Sequence, residues 1–485
     1  MHLNARYPAF QITAPLDDLR REQLQQLDTG ETYVDWMGSA VFPRSLVAKH
    51  TMMLLDTHSV FGNTHSGSQS SQLSSNHTAT ARQEVLRHFD ADPSEYVVVF
   101  TQNASSALKL VGESFPWTSA SRYIVGVDSH NSVHGIRAFA ESSGAHVSYY
   151  GCGDRGGPDM SQLRVRLIPT SSHSEAPTLL AVTGLSNVTN AKAPLWDILS
   201  LTRSAGVYTL LDAAALAPTS RISLKDTPVD AMAVSFYKMF GYPTGVGALI
   251  VKRSFLNVLR RPWFAGGTVD IVQVPGSGYT MSDNDVERFE DGTLNFLSIA
   301  AVANGLRLLR EYRSIIPLRL SILSHWLWTE LANSRYANGQ PMVRLLSTPP
   351  SPLKHEGQES GSGSTLAFVM LDAAGRPIRN DAVEHAAQSK IALRAGCMCN
   401  PGAVVTLLHR SGLFNDERGR SPLQDWMNSL HLVESMAAKN TVGLALFNGD
   451  TAFGVLRISL GLGTNFRDVW NVAQWLRSAA TSLGS

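Results

Sequence analysis

The sequence predicts an α/β fold: a large domain built on a mostly parallel, seven-stranded sheet, followed by a smaller α+β domain. Three observations carry that expectation. Seven short apolar runs between residues 95 and 252 alternate with segments of helical period, which is how strands read when helices cover both faces of their sheet. The 485 residues are too many for one simple core and suit two unequal domains. The composition, 44% apolar and 17% charged, is that of an ordinary globular enzyme, somewhat poor in charge.

YVVVFT (96–101) reads as a buried strand and ASSALKLVGESF (104–115) as the helix after it. YIVGV (123–127) and NSVHGIRAFAESSG (131–144) repeat that unit, and HVSYYG adds a strand. TLLAVTG (178–184), a helix over about 193–204, VYTLLDAAA (207–215), AMAVSF (231–236) and GVGALIVK (245–252) complete the sheet. After residue 296, IAAVANGLRLLREYRSIIPLRLSILSHWLWTELAN predicts one long amphipathic helix leading into the small domain. PPSPLKHEGQESGSGS (349–364) predicts a polar loop, and the Ser-rich SGSQSSQLSSN (66–76) a loop or helix entry. TLAFVML (365–371) and GVLRISLG (454–461) read as small-domain strands, and residues 404–453, with weak strand signals, as an active-site loop or lid. The expected division is 1–30 as a segment packing on the small domain, 31–310 as the large domain, and 311–485 as the small one.

The net charge is +1, with no long basic or acidic run, so neither nucleic acid nor a membrane surface is an expected partner. The N-terminal MHLNARYPAFQITAPL holds no apolar leader segment, and no stretch reaches the ~20 apolar residues that span a bilayer. The three cysteines are Cys152, Cys397 and Cys399, and a C-x-C pair rarely closes a structural disulfide. A cytoplasmic location is the expectation.

The chemistry gathers just after the strands. Ser105 follows YVVVFT, His130 follows YIVGV, Asn187 follows TLLAVTG, Asp212 ends VYTLLD, and Lys238 follows AMAVSF. In a parallel sheet the ligand lies at the carboxyl ends of the strands. One polar residue there is ordinarily a cap or a turn. Five different chemistries at such ends describe a site for a phosphate, an aromatic ring and an amine. Pyridoxal 5'-phosphate fits that set. A lysine forms a Schiff base with its aldehyde. An aspartate keeps the pyridine nitrogen protonated so that the ring accepts electrons. A helix N-terminus with a hydroxyl takes the phosphate. An imidazole stacks on the ring, and an amide meets its hydroxyl.

Longer motifs then carry a resemblance. SFYKMFGYPTGVGALIVK, RFEDGTLNF (288–296) and LRAGCMCNPGA (393–403) resemble fold-type I, class V pyridoxal-phosphate enzymes. YVDWMGSAVFP (33–43), FGNTHS (61–66), FTQNASSALKLVGESFPW (100–117) and LLDAAALAPTS (210–220) are similar to the N-terminal, cysteine-desulfurase domain of molybdenum cofactor sulfurases. The resemblance covers about residues 30–480. It implies that Lys238 carries the cofactor and shuttles the Cα proton, with Asp212 on the pyridine nitrogen, His130 over the ring and Asn187 at its hydroxyl. Ala104, Ser105, Ser235 and Tyr237 would hold the phosphate. Thr293 would reach the phosphate of a neighbouring subunit, which implies a homodimer. Arg457 would clamp the substrate α-carboxylate, a role that suits a guanidinium fork. Cys399, at the last position of R-x-G-x-x-C, would attack the substrate sulfur as a thiolate and take it as a persulfide. Cys397 is read as structural, Asn400-Pro401-Gly402 as part of an exposed loop, and Gly241 and Gly245 as the turn that brings the backbone close to the cofactor.

The departures also matter. Val404 stands where the sulfurase pattern has a further cysteine, Asp35-Trp36-Met37-Gly38 where it has Asp-His-Ala-Gly, and Asn63-Thr64-His65 where it has Asn-Pro-His. Sulfurases continue into a cofactor-receiving domain beyond the point where this sequence stops, so the acceptor is expected to be another protein or a small molecule. The expected function is a cysteine desulfurase or C–S lyase acting on L-cysteine or a derivative and releasing alanine. The competing expectation is a redirected lyase of secondary metabolism, performing β-elimination, decarboxylation or C–C bond formation on the same cofactor.

Overall fold

The computed structural model describes residues 3–168, 176–413 and 454–484. Its central sheet contains β1 (Tyr96–Thr101), β2 (Arg122–Gly126), β3 (His146–Tyr150), β4 (Thr178–Thr183), β5 (Tyr208–Asp212), β6 (Ala231–Ser235) and β7 (Gly247–Lys252). The strand order is β1-β7-β6-β5-β4-β2-β3. Only β7 runs against its neighbours; the other pairings are parallel. Every residue of β6 is buried, as a strand covered on both faces requires. Side chains alternate between two cores: Val98, Phe100, Met232, Val234 and Ile250 on one face, and Val97, Val99, Ala231, Ala233 and Val251 on the other. Each larger aliphatic or aromatic side chain so buried contributes about 1.5–3 kcal/mol.

The Ser-rich stretch starts a helix. Ser68 Oγ accepts the Ser71 amide at 3.3 Å and caps α1 (Gln69–His88). Helix α2 (Ala104–Ser114) follows β1. The expected helix over 131–144 is two short ones, Asn131–His134 and Arg137–Ser142, separated at Gly135 and Ile136. The long helix expected after residue 296 is likewise two, α3 (Phe296–Tyr312) and α4 (Ile316–Ala332). Pro317 lacks an amide hydrogen and restricts the residue before it, so it starts a helix rather than continuing one. The break also separates two environments. Arg307 on α3 reaches Glu84 of α1 at 3.1 Å, whereas Arg319 on α4 donates to Thr464 O at 2.9 Å.

The small domain holds β8 (Val343–Leu345), β9 (Thr365–Met370), β10 (Arg394–Gly396) and β11 (Val455–Ser459) in the order β8-β9-β11-β10, all antiparallel. Helix α5 (Pro401–Ser411) follows β10, and α6 (Phe466–Leu483) ends the described chain. The N-terminal segment is locked to this part through buried Arg20, which bonds Gly463 O at 2.9 Å, Leu27 O at 3.0 Å and Asp468. Thr32–Tyr33 then pairs with Ile391–Ala392, and Ser459 N donates to Val34 O at 2.7 Å, which delivers Asp35 beside β11.

The 349–364 segment is a loop, as expected, whereas the stretches from 400 and 404 onward differ from expectation. The polar 349–364 segment is tied to the loop after β4: Gly363 N donates to Asn190 O, and Lys192 Nζ to Ser360 O, each at 2.8 Å. Of the lid expected over 404–453, residues up to Ser411 belong to α5, and 414–453 lie outside the described residues. Asn400-Pro401-Gly402 is a helix start, because Asn400 caps α5 by accepting the Ala403 amide at 3.2 Å. Among the described residues no helix is long and apolar enough to cross a membrane.

Candidate active site

The carboxyl ends of β1, β2, β4, β5 and β6 meet around a cavity of about 180 Å³. Ala104, Ser105, His130, Asn187, Asp212, Ser235, Tyr237 and Lys238 all line it. Residues scattered over more than a hundred positions converge because parallel strands present all their carboxyl ends at one edge.

Lys238 sits on the short helix Phe236–Phe240 after β6. It forms no ion pair among the described residues. Burial pushes its pKa down, against the pull of Asp212, so more of the amine is neutral and nucleophilic at a given pH. Asp212 ends β5; its Oδ1 accepts the Ala214 amide at 3.0 Å, and its Oδ2 makes no hydrogen bond among the described residues. His130 caps the helix after β2, where its Nδ1 accepts the Ser132 amide at 3.1 Å. With Nδ1 accepting, the ring proton is assigned to Nε2. Burial lowers the His130 pKa while Asp212 raises it, and Lys238 adds to the lowering. At the other end, Ala104 N donates to Ser235 Oγ at 2.8 Å, and Ser105 Oγ lies 2.6 Å from Ser132 Oγ. Amides and hydroxyls therefore crowd the N-terminus of α2, where the helix dipole favours an anion.

Cys399 lies in the turn between β10 and α5 and is exposed. Its φ is +56°, and that of Met398 is +55°. Two consecutive non-glycine residues in the left-handed region cost about 1–2 kcal/mol each, so the surroundings must hold them. Asn131 N donates to Cys399 O, and Asn187 Nδ2 to Met398 O, each at 2.7 Å. Asn187 Oδ1 accepts Asn400 Nδ2 at 2.8 Å. The Asn187 amide thus ties the cysteine turn to the large domain, and this role competes with its expected contact to a ring hydroxyl. These bonds set the cysteine turn against Asn187, a residue of the Lys238 cavity wall, and against Asn131, the neighbour of His130. Burial, with Cys399 beside it, pushes the Cys397 thiol up to about 11, so it rests as the neutral thiol.

Arg457 is 2% exposed. Its guanidinium donates to Asp35 Oδ1 at 2.6 Å and to Asn187 O at 2.8 Å, while its Nε is buried without a partner among the described residues. Sequence reasoning missed Asp35 as its counter-ion. It also missed Arg394, which is exposed and whose charge acts on Lys238, His130 and Arg457. The signal for Arg394 was its place in LRAGCMC, five residues before Cys399. Thr293 does not enter the Lys238 cavity. It is exposed in an adjoining groove of about 530 Å³ with Gln102, Lys109 and Gly245. Gly241, with φ +79°, is required by residues 40–42: a Cβ there would meet Ala40 O at 2.8 Å. The missing Cβ at Gly241 therefore admits the 40–42 backbone at this turn.

An α/β fold with a lysine-centred cavity at its strand ends defines the class, and the aminotransferase class-V model matches residues 32–335. The chain belongs to that family. It is 31% identical over 501 residues to the molybdenum cofactor sulfurase of Arabidopsis thaliana, covering 96% of this chain and 58% of that protein. The chain thus spans little more than half the length of such curated relatives. Among solved structures, the cysteine desulfurase of Thermococcus onnurineus NA1 superposes with a TM-score of 0.73 at 19% identity, over 96% of this chain and 98% of that one. A C-DES variant with glycine covalently linked to its PLP cofactor superposes at 0.68 with 17% identity, over 94% and 98%.

Proposed function

We propose that the chain is a pyridoxal-phosphate-dependent cysteine desulfurase that takes sulfur from L-cysteine, or a cysteine derivative, onto Cys399 and releases alanine. The single observation that carries this is the bonding of the exposed, conformationally held Cys399 turn to Asn131, next to His130, and to Asn187, which lines the Lys238 cavity. The donor set fits the cofactor: a buried amine without an ion pair among the described residues, a carboxylate with one free oxygen, and a helix N-terminus rich in hydroxyls. Lys238, Asp212, His130 and the Ala104–Ser105–Ser235 end would hold it. When bound, pyridoxal phosphate supplies a reactive aldehyde and an electron-accepting ring.

The chain's own residues do the rest. Asp212 keeps a proton at the ring nitrogen. The amine of Lys238, its basicity lowered by burial, moves the proton at the substrate Cα. Arg394 and Arg457 supply positive charge for the α-carboxylate. The Cys399 thiolate bonds to the substrate sulfur, the substrate C–S bond breaks with its electron pair going to carbon, and the sulfur remains as a persulfide on Cys399. A thiol-bearing protein or small molecule then accepts it.

We further propose a cytoplasmic homodimer. Met52, Leu55, Val60, Ile271 and Val274 expose apolar surface on this chain, and a second copy would cover it and bring Thr293 to the neighbouring phosphate end.

One observation favours a second reading, β-elimination on the same cofactor. Cys399 is not among the residues lining the Lys238 cavity, and elimination needs no thiol there. Incubation with L-cysteine and a reductant separates the two. Desulfuration yields alanine and needs Cys399; elimination yields pyruvate and persists in Cys399→Ala.

A further inference from the structure

Asp128 lies two residues before His130, is 6% exposed, and is bonded by no cation among the described residues. Its carboxylate instead collects three donors. The Gly157 amide reaches Oδ2 at 2.8 Å; Ser186 Oγ at 2.9 Å and Asn400 Nδ2 at 2.7 Å reach Oδ1. Burying a carboxylate without a counter-ion is costly, and burial pushes its pKa up. Such a group persists where its hydrogen bonds hold something in place.

What it holds is the partner of the cysteine turn. Asn400 is wholly buried, and its Nδ2 donates to both Asp128 and Asn187. Its own backbone amide donates to Cys397 O at 2.8 Å, closing the turn that contains Cys399. Close packing reinforces the contact, since a Cβ on Gly402 would strike Val127 O. A single buried carboxylate at the end of β2 is thus bonded to the residue immediately after the nucleophile.

We propose that Asp128 is a positioning residue: through Asn400 it clamps Met398 and Cys399 in their left-handed conformation and so aims the Cys399 thiol at the Lys238 cavity. This rests on the desulfurase reading only for its effect on turnover. The clamp itself is a property of the turn and is measurable without substrate.

The test is amide hydrogen exchange on the cofactor-loaded protein, read at Asn131, Asn400 and Ala403, beside steady-state alanine formation. Asp128→Asn keeps the size and replaces one acceptor by a donor. It should retain the visible cofactor band and hold KM within about threefold, while kcat falls about 10–100-fold, the cost of a misplaced reacting group. Exchange at the three amides should rise about tenfold or more. Asn400→Ala cuts the bond to Asp128 from the other side and should give the same rise at Asn131 and at the position-400 amide, which decides the matter should Asp128→Asn fail to fold; the Ala403 amide is not read there, because Asn400 is its cap. Ser186→Ala removes a bond to the same carboxylate but no bond to the turn, and should leave those amides unchanged. Wild-type exchange in both Asp128→Asn and Asn400→Ala would overturn the proposal. If the wild type makes no alanine at all, the desulfurase reading fails while the exchange result still decides the clamp.

Discussion

The two sides of the site are built by different physics. On the large-domain side, Lys238, Asp212, His130 and Ser105 stand at the ends of buried parallel strands, and the sheet itself fixes them. On the small-domain side, Cys399 stands in a turn with two left-handed residues, held by bonds from Asn131, Asn187 and Asn400 that span more than two hundred positions. The first side is a rigid receptor. The second is a strained device whose aim depends on a few side-chain amides. The difference teaches that, in the proposed function, holding the cofactor and taking the sulfur are separable, and that variants should divide along that line.

The sharpest break falls on the receptor. Lys238→Ala should abolish the visible cofactor band and lower alanine formation about 10⁴-fold, the scale of a lost general base; absorbance and product assay check both together. Next is the device. Cys399→Ala should keep the band but lose alanine formation by about 10³-fold, close to 4 kcal/mol of barrier. A third variant leaves both sides intact and loosens the frame. Arg20→Ala strands buried Asp468 without its partner and should cost about 3 kcal/mol or more of stability, read from the denaturant midpoint, without moving the band.

Smaller effects refine the comparison. Arg394 is exposed where Arg457 is already engaged. Arg394→Ala should therefore raise KM for L-cysteine about tenfold, the worth of one charge-assisted hydrogen bond, with kcat less affected. The smallest concerns pH. Burial holds the His88 pKa at about 3, against an ordinary value of 6.5, with Arg310 adding to the lowering. The unfolded chain then binds the extra proton first as pH drops. Stability is full above about 6.5 and drains as pH falls toward 3, by at most about 1.4 kcal/mol per pH unit. Thermal midpoints at pH 7 and 5.5 should show the loss, and His88→Leu should flatten it.

The receptor was legible in the sequence because it follows from local pattern. AMAVSFYK announces a buried strand and then a lysine, and VYTLLD a strand ending in an acid; parallel topology does the convergence. The device was legible only as a motif. That Asn187 serves the cysteine turn, that Asp35 neutralises Arg457, and that Asp128 meets Asn400 are contacts between residues 211, 422 and 272 positions apart, and no local periodicity encodes them. The split of the helix after residue 296 was readable in Pro317, but the continuous apolar pattern on both sides masked it.

The most direct measurement is the fate of the substrate sulfur. Cofactor-loaded protein is given L-cysteine, its thiols are trapped by alkylation, and the peptide containing Cys399 is weighed while alanine and pyruvate are counted. One extra sulfur on Cys399, matched by alanine, is the expected result. An unmodified Cys399, with pyruvate formed equally well by Cys399→Ala, would contradict the account and leave β-elimination in its place.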